Sequence, residues 1–106
     1  MEKKLSVVVS VYNEEQALPM FYETTKLILE ILPWDYELLF VNDGSRDDSL
    51  SILREYAARD EKVKVVSFSR NFGHEAAMIA GIDYADGDGI VCMAAELQHP
   101  QECLPA

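Results

Sequence analysis

Apolar residues in this chain fall into two patterns, short, nearly continuous runs and longer stretches in which they return every three or four positions. The short runs are Leu5 to Val11, Tyr36 to Val41, Val63 to Ser69 and Gly89 to Met93. Their length and their aromatic and β-branched content predict strands. The first longer stretch, Ala17 to Leu32, predicts a helix with Leu18, Phe21, Tyr22, Ile28, Leu29 and Leu32 on one face and Glu23 and Glu30 off it. Pro19 falls in its first turn, where a missing N–H is harmless, and Pro33 stops it. A second helix is predicted from Arg46 to Arg59, with Ser45 as its start, because Ser45 followed three residues later by Asp48 reads as a capping box. The third, Glu75 to Ala85, carries Ala76, Ala77, Ala80, Gly81 and Ala85, small enough to let its backbone lie close to a sheet, and Gly87 closes it.

Strands alternating with helices predict an α/β fold, an open parallel sheet flanked by helices. Right-handed crossovers constrain how the strands can be laid down, and the expected order is 3-2-1-4. That order sets the first and fourth strands side by side at a topological switch point, where open α/β sheets bind ligands beyond the carboxyl ends of their strands. Three polar clusters distant in sequence then share one rim: Tyr12-Asn13-Glu14, Asn42-Asp43 and Ala94-Ala95-Glu96.

Composition narrows the partners. The 106 residues suffice for one domain, expected to span 1–106, with a modest core. A formal charge of −10 argues against a nucleic-acid backbone, which needs a basic surface. Any phosphate would arrive with a cation. Cys92 and Cys103 have neither zinc spacing nor the density of a disulfide scaffold, which points to a reduced, cytoplasmic setting. The apolar run after Lys3 and Lys4 ends too soon at Tyr12-Asn13-Glu14-Glu15 for a signal peptide, and no run approaches the roughly 20 residues that span a bilayer.

The turn after the first strand lacks glycine, which counts against a dinucleotide-binding Rossmann loop. Asn13 and Glu14 offer side chains suited to a base or ribose edge, or simply a polar helix start. Asp43-Gly44-Ser45 is by default a turn. Asp47 and Asp48 read as first-turn acids favoured by the helix dipole and are assigned no chemistry. His74 and His99, lone histidines in loop or helix-start positions, are left out of the site.

Taken in order, VSVYNEE at 9–15, VNDGSRDDS at 41–49, Arg70-Asn71-Phe72-Gly73 and Ala94-Ala95-Glu96-Leu97-Gln98 resemble the nucleotide-binding half of a family 2 glycosyltransferase. The resemblance is greatest to members that move a sugar from a nucleotide onto a polyprenyl phosphate. It implies the Rossmann-like half of a GT-A fold, truncated at its C-terminus, with Tyr12, Asn13, Glu14, Asp43 and Arg70 on the nucleotide. Glu96 and Gln98 would hold Mg2+ or Mn2+. UDP-glucose is the first donor it implies, ahead of GDP-mannose and UDP-N-acetylhexosamines. The acceptor phosphate is already mostly ionised near neutral pH, its second pKa being about 6, so positioning and metal stabilisation of the leaving diphosphate would carry the reaction. The full-length protein would work at the cytoplasmic face of the membrane.

One position departs from the family pattern. Its acidic signature is aspartate, any residue, aspartate, and here Ala94 holds the first place and Glu96 the second. The resemblance therefore admits a second reading, a degenerate nucleotide-binding module without turnover. A third, a receiver-like phosphoacceptor domain, would need an aspartate at the end of the third strand, where Ser69-Arg70 stands. Sheet edges left open by truncation would favour a homo-oligomer.

Overall fold

The computed structural model describes residues 3–95. Seven elements alternate: β1 (Lys4–Val11), α1 (Leu18–Glu30), β2 (Asp35–Asn42), α2 (Ser49–Arg59), β3 (Val63–Ser67), α3 (His74–Tyr84) and β4 (Gly89–Ala94). The sheet is parallel throughout, in the expected order β3-β2-β1-β4.

Alternation along β1 and β2 divides the core between two faces. Val7, Val9, Val11, Leu38 and Phe40 pack with Leu18 and Leu29 of α1 and Leu53 and Tyr56 of α2. Val8, Leu39 and Val41 point the other way, onto Ala77 of α3. Phe40, Leu18, Leu38, Leu39 and Leu53 are fully buried, each contributing about 1.5 to 3 kcal/mol relative to an exposed side chain. The small residues of α3 do bring it close: a Cβ on Gly81 would stand 2.2 Å from Val8 Cγ1.

Two local expectations fail. Ile28 is 55% exposed rather than buried, because it is turned about 100° from its buried neighbour Leu29; Thr25 takes the inward place instead. Ser45 does not cap α2. That helix begins at Ser49 behind Asp48, and the Ser45 hydroxyl accepts the backbone N–H of Asn13 at 2.9 Å.

At the amino ends of the strands lies a buried carboxylate, Glu37, which is 1% exposed. Its Oε2 accepts the Ser6 hydroxyl at 2.5 Å and the Asp86 N–H at 2.7 Å. Its Oε1 lacks an aligned hydrogen bond but sits 2.8 Å from Lys64 Nζ and 3.9 Å from Lys4 Nζ. Burial alone would raise this carboxyl, yet the Lys64 ammonium, the Ser6 hydroxyl and the Asp86 N–H together hold it down to about 2.

Candidate functional site

The carboxyl ends of β1, β2 and β4 are joined by backbone bonds, from Asp43 N–H to the Val11 carbonyl at 2.8 Å and from Ala95 N–H to the Ser10 carbonyl at 3.1 Å. Beyond them opens a cleft of about 350 Å³ lined by Ser10, Val11, Tyr12, Glu14, Asp43, Asn71, Gly73, His74, Ala94 and Ala95. Its size lies at the low end of the ~300 to 1,000 Å³ usual for small-molecule sites. It stands at the switch point between β1 and β4.

Side chains tie the three rim loops to one another. Asn13 adopts a left-handed conformation, φ 53°, tolerable for asparagine, which lets its Oδ1 accept the Arg46 N–H at 2.7 Å. Glu14 N–H donates to Ser49 Oγ at 2.9 Å. Asp47, which was assigned no chemistry, accepts the Glu15 N–H at 3.2 Å and the Ser49 N–H at 3.0 Å. Burial pushes its carboxyl up, but these bonds, with the Ser49 hydroxyl, outweigh it and hold the group below the usual carboxylate range.

Asp43 is the pivot of the rim. It is 3% exposed, and its carboxylate faces the loop after β3. Oδ1 accepts the Phe72 N–H at 2.7 Å; Oδ2 accepts the Gly73 N–H at 3.0 Å and Asn71 Nδ2 at 3.1 Å. A carboxylate has about four acceptor positions, so one is left for anything else. Gly44 beside it has φ +70°, and a Cβ there would lie 2.2 Å from the Arg70 carbonyl carbon and 2.3 Å from Asn71 N, so only glycine lets the two loops meet. Asn42 is buried too, donating to Ser67 Oγ at 3.2 Å and accepting the Ser45 N–H at 3.3 Å.

Of the residues expected on the nucleotide, Tyr12, Glu14 and Asp43 line this cleft. Asn13 and Glu14 line a smaller one beside it, of about 250 Å³, with Glu15, Gln16, Ala17 and Asp47. Arg70 lines neither; its guanidinium stacks 4.8 Å from the Phe72 ring centroid. Glu96, Gln98 and His99 lie outside the described residues. Among the described residues no group of three histidine, cysteine, aspartate or glutamate side chains is placed to hold a metal, and the side chain of Ala94 offers no ligand atom. Sequence reasoning passed over His74, whose Nδ1 lies 2.8 Å from Ser10 Oγ on the cleft wall. No helix among the described residues is long and apolar enough to cross a membrane.

Residues 6–106 match the family described as Glycosyl transferase family 2. The chain belongs to that family. It is 50% identical over 93% of its length to an uncharacterized glycosyltransferase, YkcC, of Bacillus subtilis, of which it covers 31%. A bactoprenol glucosyl transferase of Shigella phage SfV is 45% identical over 96% of the chain, which covers 33% of that protein. The chain thus spans about a third of these family 2 relatives. Among solved structures, a mannosyltransferase from Pyrobaculum calidifontis in complex with GDP-Man and Mn2+ superposes with a TM-score of 0.72 at 24% identity, over 94% of this chain and 29% of that one. S. aureus TarS gives 0.74 at 24% identity, over 87% and 16%. The fold is the Rossmann-like half of the GT-A architecture.

Proposed function

We propose that the chain is the donor-binding part of an enzyme that moves a hexose from a nucleotide sugar, UDP-glucose first, onto polyprenyl phosphate at the cytoplasmic face of the membrane. The observation that supports this reading most is the rim cleft, where residues from separate family motifs, Tyr12, Glu14, Asp43, Asn71 and Ala94, meet at the switch point. Relatives named for bactoprenol and undecaprenyl-phosphate transfer favour a lipid-linked acceptor. In this reading Tyr12 and Glu14 contact the nucleoside, Asn13 and Asp43 hold the loops that shape its cleft, and Arg70 stiffens the third loop through Phe72. Mg2+ or Mn2+ held by Glu96 and Gln98 would offset charge on the leaving diphosphate. The edge strand β4, with Ile90, Val91 and Met93 exposed, supports self-association of the isolated chain.

Ala94 favours a second reading, a nucleotide-binding module without turnover. In register it lies beside Ser10, so an aspartate there would point a carboxylate at the cleft wall. Ala94→Asp is expected to tighten Mn2+ affinity in the presence of UDP by about 10 to 100-fold in calorimetric titration. Glu96→Ala should weaken it in either background. If both substitutions are neutral, the loop after β4 is not a metal site.

A further inference from the structure

We propose that His74, oriented by Ser10, presents its Nε2–H to an acceptor oxygen of the bound nucleotide; the inference rests on the donor-site reading above. Ser10 is 8% exposed at the end of β1, and its Oγ lies 2.8 Å from Nδ1 of His74, the first residue of α3. Both side chains line the rim cleft. A neutral imidazole has one donor and one acceptor nitrogen, and the bond made by one fixes the role of the other. If Ser10 donates its hydroxyl proton to Nδ1, then Nε2 carries the proton. Glu14 lines the same cleft, and a carboxylate there favours the tautomer that turns an N–H rather than a nitrogen lone pair toward it. No described protein group bonds Nε2, so its donor is available to a ligand.

An oxygen acceptor is found on a pyrimidine carbonyl, a ribose and a phosphate alike, and no anion charge is needed to recognise it. Ser10 acts here as a positioning residue for His74. It registers with Ala94 across the β1–β4 pair, so the donor stands next to the place where the family's first acidic residue is missing.

The test uses the 106-residue chain with Mg2+, titrated separately with UDP and with uridine. Ring 15N spectra of the wild type should show His74 Nδ1 unprotonated and Nε2 protonated, with the Nε2–H signal shifting as UDP is added. His74→Ala should weaken UDP binding about 3 to 10-fold, the worth of one hydrogen bond. His74→Gln, which keeps a donor amide near the Nε2 position, should recover most of the loss. Ser10→Ala should weaken binding less while mixing the two tautomers. An equal loss for uridine assigns the acceptor to the nucleoside, and a loss for UDP alone assigns it to phosphate; either supports the proposal. Unchanged UDP affinity in His74→Ala, with amide shifts still seen at Tyr12 and Asn71, overturns this inference and leaves the donor site standing. No UDP binding by the wild type overturns both.

Discussion

Asp43→Ala is expected to destabilise the chain by about 2 to 4 kcal/mol in urea unfolding and to abolish UDP binding even where the protein remains folded. The substitution leaves the Phe72 and Gly73 N–H groups without their acceptor, while Asn71 keeps only its bond to the Asp43 carbonyl at 3.1 Å. Each deserted donor next to the buried strand end costs about 1 to 3 kcal/mol, reduced here because Asn71 and Phe72 are themselves exposed and can take up water. Once released, the loop carrying Asn71, which leads into His74 at the start of α3, no longer faces Tyr12 and Glu14. Asp47→Ala should show a smaller form of the same effect, since Asp47 ties Glu15 to Ser49 across the neighbouring cleft. A stable Asp43→Ala protein that still binds UDP would show that the carboxylate neither holds the rim nor touches the nucleotide.

Glu37→Ala is expected to cost about 2 to 4 kcal/mol, somewhat below the ~3 to 5 of a fully buried pair because side chains of Lys4 and Lys64 are 27% and 48% exposed and can be rehydrated. The same group gives the wild type a pH dependence. Its carboxyl is lowered from 4.5 to about 2 in the folded chain, so its contribution to stability is fully present above about 4.5 and is lost as pH falls through about 2. Thermal unfolding measured between these values should show stability dropping in the wild type and dropping less in Glu37→Gln. Parallel curves for the two proteins would contradict this account. The rim cleft lies at the opposite ends of the strands, so UDP affinity should survive in Glu37→Gln wherever the protein is folded.

The parts of the fold legible in the sequence are those set by repetition. Alternating short apolar runs and helical patterns located the elements, crossover handedness constrained their layout, and the observed order β3-β2-β1-β4 is the one expected, which brings Tyr12, Asp43 and Ala94 to one rim. The clustering of small residues at Ala77 and Gly81 likewise reports close helix–sheet packing. What could not be read off is where a polar side chain spends its hydrogen bonds when its partner is distant in sequence. Ser45 has the spacing of a helix cap but bonds Asn13, 32 positions away. Asp43 looks like a ligand group at a strand end, yet most of its capacity goes to a loop about 30 residues on. Ser10 and His74 are 64 positions apart, and neither sits in a spacing that signals the other. Ile28 failed for a simpler reason: a broad apolar stripe has edges, and single-residue offsets at the edge decide exposure.

The central claim is that the nucleotide occupies the rim cleft at the β1–β4 switch point, and amide mapping of the 15N-labelled chain with UDP and Mg2+ tests it most directly. The account predicts shifts concentrated at Tyr12, Glu14, Asn71, Gly73, His74 and Ala95. A third cleft, of about 290 Å³, lies at the amino ends of the strands, where Lys4, Lys62 and Lys64 stand among Asp35, Glu37 and Glu61. Shifts gathered there instead, or none at either end, would contradict the account.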